Sequence, residues 1–304
     1  MSGLEKEIIK LLNDRGPLTG SEILNSTEVD ELLLWRICRH SKRLMIRRIG
    51  TRYLRLDRRV EGFARLSPSI LREFLTYTVV GLSGDSHQVD LKADRILHKI
   101  EEVSRAKAEL AFNIVSSLGS QLENELSIND QVCFILAGDI VYNMAHDVPR
   151  PERSTGKLVR GSDMDLVVIV DDQFPEKSME RLDENIFKEK YRILITPHIR
   201  EEIDYIVKNL ARVRTQVQFD TFKHMVACKI LQEGTLLYGS EFLFNRVKSI
   251  LKEYGITQKL LEMEKQARIF RKKAEAILMN EAPDKIREGS SYLFYPTEES
   301  EEFE

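Results

Sequence analysis

Helical periodicity through the first 125 residues, then apolar β-type runs alternating with helices, predicts an α+β chain: a small mixed β-sheet with flanking helices. Three observations carry this. Leu4, Ile8, Leu11 and Leu12 share one helical face. The stretches 132–137 and 164–170 are continuous apolar runs, as buried strands require. Asp163 and Asp165 open the second run two residues apart, so a strand would turn both carboxylates to one face.

The elements follow in order. Gly16-Pro17 stops the first helix, and Thr19 caps a short second one through Ile23 and Leu24. A third helix runs from about Thr27 to Ser41 on Val29, Leu32, Leu33 and Ile37. The runs 44–49 and 52–56 flank Gly50-Thr51 and predict a β-hairpin. Ser67-Pro68 starts a short helix through Phe74, residues 81–86 read as a loop, and a long helix spans about 89–122. Beyond the strand at 164–170, helices are expected at 175–190, 197–213, 221–232, 240–253 and 257–280. Short β segments are expected at 192–195 and 216–219.

The net charge of −3 on 304 residues conceals an asymmetry. Between residues 36 and 59 ten Lys and Arg side chains face only Asp57, whereas five of the last eight residues are Glu. The basic stretch suits phosphate contacts along nucleic acid, through Arg36, Arg39, Arg43, Arg47, Arg48 and Arg52. The acidic end reads as a disordered tail. Cys38, Cys133 and Cys228 are far apart in apolar settings and read as buried thiols rather than a disulfide or zinc framework. No apolar run approaches a membrane span and the N-terminus lacks the pattern of a signal peptide. The expectation is a cytoplasmic protein with no membrane partner.

Paired carboxylates repel unless a cation lies between them, and Mg²⁺ takes one or two carboxylates together with substrate phosphates. The surrounding sequence sharpens that chemistry. An apolar strand ends at Gly138, Ser162-Asp163-Met164-Asp165-Leu166 opens a second strand, and Leu236-Leu237-Tyr238-Gly239 follows a later helix. Over roughly 110–245 this resembles the polymerase-beta-like nucleotidyltransferase superfamily. The resemblance implies an NTP substrate with Mg²⁺ or Mn²⁺ and transfer of an NMP to an acceptor hydroxyl on RNA, protein or a small molecule. Asp163 and Asp165 would hold metal, and Asp220, after the run 217–219, would be the third catalytic carboxylate. Gly138, Asp139, Ser162, Lys157 and Arg160 would line the phosphates. Asp139 departs from the small residue usual after the first glycine. The 22-residue link to Gly161 is longer than usual and carries Arg150, Arg153, Lys157 and Arg160, a phosphate clamp or a solvated insertion. Glu202 and Asp204 are alternative acids, but both fall inside the predicted helix at 197–213.

Three helices followed by a hairpin resemble a winged helix. The organisation expected is therefore a winged-helix domain at 1–62, a helical linker at 63–125, a nucleotidyltransferase core at 126–245, a C-terminal helical segment at 246–290 and the acidic tail at 291–304. The C-terminal helices are expected to cover the nucleotide or acceptor. A homodimer stays open. The competing reading is a winged-helix DNA-binding regulator whose transferase-like domain senses a nucleotide without turnover; a toxin or defence transferase would share the core.

Overall fold

The computed structural model describes residues 3–126, 128–152 and 154–295, and the chain folds as two units. One takes the residues up to Lys99 together with the chain from Met263 onward; the other is Ile100–Glu262. Of the disordered tail expected at 291–304, Ser291–Leu293 instead form a helical turn, with Leu293 and Phe294 buried, while 296–304, and Arg153, lie outside the described residues. No described helix is long and apolar enough to cross a membrane.

The first unit opens with α1 (Gly3–Arg15), β1 (Leu18–Thr19), α2 (Gly20–Leu24) and α3 (Glu31–His40). Thr19 and Glu22 form a reciprocal capping box on α2, as the sequence suggests. The strands β2 (Leu44–Arg48), β3 (Tyr53–Leu56) and β4 (Ala64–Ser67) follow, then α4 (Ile70–Thr76) and β5 (Thr78–Leu82). The hairpin expected between 44–49 and 52–56 does not form. β2 pairs with β5 from Leu44↔Leu82 to Arg48↔Thr78, β1 lies on β5's other edge, and β3 pairs with β4. Residues 78–82, Thr-Val-Val-Gly-Leu, open on three β-branched side chains and are nearly all buried, so they make the better central strand. Gly81 and Leu82, read above as loop, belong to it.

The helix α5 (Ser86–Leu126) begins in the first unit and ends in the second. The second unit continues with α6 (Ile128–Gln131), β6 (Val132–Ala137), β7 (Pro149–Pro151), β8 (Leu158–Arg160) and β9 (Met164–Val170). After these come α7 (Glu176–Ile195), β10 (Ile203–Asn209), α8 (Leu210–Gln216), α9 (Phe222–Glu233), β11 (Thr235–Gly239) and α10 (Glu241–Glu253). The sheet order is β10-β9-β6-β11, with β10 parallel to β9 and the other pairs antiparallel. It is a small mixed sheet, and its central strands β6 and β9 are buried almost throughout, as continuous apolar runs demand.

Two expectations in this half are corrected. The 192–195 stretch is the last turn of α7, not a strand. The helix expected at 197–213 is instead strand β10 followed by α8, and 216–219 is the end of α8 and the turns after it. Ile203, Ile206 and Val207 carry the β preference, and the open edge of β9 supplies the backbone partner.

The helix α11 (Ile256–Asn280) starts in the second unit and ends in the first. Its later turns and the short helical turns after it pack with Trp35, Leu34 and Ile8 through Ala274, Leu278, Ile286, Leu293 and Phe294. The C-terminal segment thus completes the first unit's core. All three cysteines are buried free thiols, each raised to about 12 by burial.

Several arginines of the basic stretch make contacts within this unit, although most of its basic side chains stay exposed. Arg36 donates from Nε to the Leu278 carbonyl at 2.5 Å and also to the Glu281 carbonyl. Arg39 pairs with Glu275 at 3.0 Å, Arg47 with Asp90, and Arg52 with Glu73 at 2.6 Å and Glu275 at 3.1 Å. Four of the six arginines expected to contact nucleic acid thus have partners within the fold, and Arg39, Arg43, Arg47 and Arg48 are exposed. Arg36→Ala would strip the last carbonyls of α11 of a charged donor and lower stability by about 1–2 kcal/mol. Urea unfolding checks this through a lowered midpoint at unchanged slope.

Candidate active site

The register of three strands assembles the site. Ala137 lies opposite Asp165 across β6 and β9, and Asp165 lies opposite Asp204 across β9 and β10. Asp163 precedes β9 and shares the face of Asp165. One carboxylate oxygen from each of Asp163, Asp165 and Asp204 falls within 4.8 Å of the other two, and all three residues are half-buried. Three carboxylate oxygens at this spacing, open to solvent, are hard ligands suited to Mg²⁺ or Mn²⁺. The donor set fits such an ion.

The third acid is thus Asp204 and not Asp220. Asp220 follows the turns after α8, its side chain is 64% exposed, and its carboxylate accepts from His224 Nδ1 at 2.6 Å. That hydrogen bond to His224 is the main reason its carboxyl sits below the ordinary range. His224 lines a separate cleft of about 750 Å³ with Arg212, Thr215, Gln216, Thr221 and Lys223. This cleft adjoins the N-terminal end of α9, whereas Glu233 at the other end of that helix reaches Gly138. Eleven residues of α-helix separate the two ends by roughly 16 Å.

Gly138 turns the chain off β6 with φ +73°, and a Cβ there would lie 1.9 Å from Asp165 Oδ2. Only a glycine lets the backbone pass so close to the carboxylate. Its N–H points at Glu233 Oε1 at 3.4 Å, and Tyr142 Oη donates to Glu233 at 2.6 Å. Lys229, nearly buried, neutralises Glu233 at 2.9 Å. Glu233 therefore anchors the turn that carries Gly138 and Asp139.

Asp139 is turned onto Ser162, whose hydroxyl donates to Asp139 Oδ2 at 3.1 Å and accepts from the His146 N–H at 3.2 Å. Ser162 is buried and shapes the loop. Gly161, at φ +60°, leaves room for the His146 carbonyl, which a Cβ would meet at 1.9 Å. The long link between the strands is a hairpin of β7 and β8. Lys157 and Arg160 on it are exposed. Glu152 is tied by Ser154 and Thr155: burial opposes its charge, but these hydrogen bonds hold the carboxyl down to about 2.

Cations flank the carboxylates. Arg150 lies 3.4 Å from Asp163 and 2.9 Å from the buried Glu202, and Lys190 lies 3.3 Å from Asp204. Burial pushes the Asp163 carboxyl up; Arg150 pulls it down, and the charges of Asp139 and Asp204 push it up again, leaving it above the ordinary value. Burial likewise raises Glu202 against the pull of Arg150. Behind them Lys107, on α5, donates to the Arg160 carbonyl at 2.7 Å and pairs with the buried Glu201. This pair braces the strand entrances where Asp163 and Asp204 sit.

Sequence reading missed Asp204 as the third acid, and it missed Glu233, Lys107 and Lys190 altogether. Asp204 carries a usable signal: Ile203-Asp204-Tyr205-Ile206-Val207 repeats the apolar-acid-apolar pattern of Met164-Asp165-Leu166-Val167-Val168. The other three act across long sequence separations and leave no local trace.

Because the native state favours the protonated form of Asp163, its contribution to stability is present at low pH and is lost as pH rises through the raised value. Asp163→Asn should therefore raise the melting temperature of the metal-free chain at pH 7–8. That gain should shrink toward pH 4, which melting curves across the range would show. Gly138→Ala should retain a folded chain but lose divalent-cation stabilisation in the same assay, because its methyl group displaces Asp165. Comparison with known protein families, with curated proteins and with solved structures finds no match, and the chemistry of the site rests on these residues alone.

Proposed function

We propose that Ile100–Glu262 is a nucleotidyltransferase that moves an NMP from an NTP to an acceptor hydroxyl, the bond between the α- and β-phosphates breaking as the new ester forms and pyrophosphate leaving. The observation that carries this is the Asp163–Asp165–Asp204 group at the ends of two parallel strands, with Gly138 held against it. Asp163, Asp165 and Asp204 would hold Mg²⁺ or Mn²⁺. Such an ion lowers the pKa of a bound hydroxyl and neutralises charge on phosphate oxygens. The side chains divide the remaining work.

The backbone around Gly138 brings no side chain between β6 and the carboxylates, so a triphosphate has room to approach. Asp139, drawn aside by Ser162, leaves that approach less acidic than its position in the sequence suggests. Arg150 is the cation placed to exchange: it balances Asp163 and Glu202 while the phosphates are away and can turn to them on binding. Lys157 and Arg160, on the exposed hairpin, are in reach of solvent-borne anions. Asp204, the least constrained of the three acids by the glycine turn, is placed to take the proton of the acceptor hydroxyl. The basic cleft at the far end of α9 would then receive a phosphate-bearing part of the acceptor.

The test is incorporation of label from each α-labelled NTP, with Mg²⁺ or Mn²⁺, with and without total RNA. Asp165→Asn and Asp204→Asn are each expected to reduce turnover by at least a hundredfold, whereas Asp220→Asn keeps wild-type rates. Turnover that survives Asp204→Asn and is lost in Asp220→Asn would overturn the assignment of the third acid. Turnover in none of the proteins, wild type included, would overturn the activity.

A further inference from the structure

The first unit holds a cluster in which positive charge exceeds negative, and a cavity opens beside it. Arg271 is nearly buried and contacts Glu73 at 3.1 Å, Glu275 at 2.9 Å and the Pro68 carbonyl at 2.8 Å. Arg52 contacts the same two glutamates, and Arg39 shares Glu275. Arg48 makes no recorded ion pair among the described residues, yet its charge is felt at Glu73. Four guanidinium groups thus surround two carboxylates, a surplus of two positive charges. Burial alone would disfavour the charge of Glu73, and the arginines around it still hold its carboxyl below the ordinary range.

A cavity of about 180 Å³ lies against this cluster. Arg39, Arg48 and Arg52 line it together with Glu73, whose charge Arg52 and Arg271 offset, and the ring of Trp35 and the side chains of Ile46 and Phe74 form apolar walls. The Arg39 guanidinium stands 5.8 Å from the Trp35 ring centroid, which fixes it at the rim. Arg39 and Arg48 both reach solvent, so the cavity has an entrance, while Arg52 and Arg271 lie deeper. Like charges gathered where water is scarce are unfavourable unless an anion joins them. Guanidinium groups match a tetrahedral oxyanion through paired hydrogen bonds, and they stay charged at every physiological pH.

We propose that this cavity binds a phosphate-sized dianion, either free inorganic phosphate or the terminal phosphate of a small phosphomonoester. A dianion brings the cluster to neutrality. The volume admits a phosphate group with a few waters, and the rest of a monoester would extend toward the entrance at Arg39 and Arg48. The site belongs to the first unit alone and is independent of the transferase reading.

The test is calorimetric titration of the full chain in EDTA with sodium phosphate, with sodium chloride of equal ionic strength as control. EDTA removes divalent cations from the carboxylates of the second unit, so any phosphate taken up there through metal is absent. Saturable binding of one phosphate per chain is expected. Arg48→Glu, an exposed position that leaves the internal ion pairs intact, should weaken it at least tenfold, and Arg39→Ala at least threefold. A second arm uses a nucleoside 5′-monophosphate. Tighter binding than phosphate identifies a monoester as the ligand; equal or weaker binding identifies the free anion. Absence of saturable binding of either compound, or binding that Arg48→Glu leaves unchanged, would overturn the proposal. Circular dichroism of Arg48→Glu confirms that a loss of binding is not a loss of fold.

Discussion

The register between β6, β9 and β10 is the constraint on which the second unit depends. A slip of one residue in either pairing would send Asp165 or Asp204 to the opposite face of the sheet, because side chains alternate. That register is fixed by apolar burial on both faces of β6 and β9, so hydrophobic packing sets the positions of charged groups that contribute nothing favourable to it. The sheet is stable in spite of the carboxylates at its end. The strain is local and electrostatic, and it is eased by Arg150 and Lys190 without being removed.

Around that fixed line, the loops do the fine positioning. Gly138 and Gly161 each let backbone pass where a side chain could not. Glu233 and Lys229 on α9 tie the first of these turns to the sheet, and Ser162 ties the second to Asp139. Lys107 and Glu201 add a buried ion pair at the strand entrances. Breaking one partner of such a pair costs more than the pair contributes, since the other charge is left stranded in a poor solvent. The buried side of the carboxylate region is therefore tied by these contacts, whereas Lys157 and Arg160 lie exposed on the hairpin.

What the sequence disclosed follows the same division. Continuous apolar runs revealed β6 and β9, and the spacing of Asp163 and Asp165 revealed their shared face. The capping of α2 was legible from Thr19, because capping is local chemistry. β10 was not, since an edge strand with half-buried side chains shows neither a continuous apolar run nor clean alternation, and Pro197 suggested a helix start. Losing β10 displaced the third acid to Asp220. The partner of β2 was missed for a related reason: Gly50-Thr51 looks like a hairpin turn, but the strand that completes the pairing lies thirty residues on, beyond β3, β4 and α4. The pairing of Arg39 and Arg52 was not legible between 36 and 59, because their counter-charges, Glu73 and Glu275, are distant in sequence.

The return of α11 to the first unit has a consequence for how the chain is made. The core around Trp35 includes Leu278, Leu293 and Phe294. During synthesis the amino-terminal elements emerge first, yet their packing partners follow only after the whole of Ile100–Glu262 has been translated. At about 5–20 residues per second that is a wait of roughly 8–30 s. Throughout that interval Trp35 and its neighbours lack the apolar cover they have in the finished chain. Ile100–Glu262, whose own sheet is continuous in sequence, can meanwhile complete its core. The residues around Trp35 thus emerge before Ile100–Glu262 and complete their core after it.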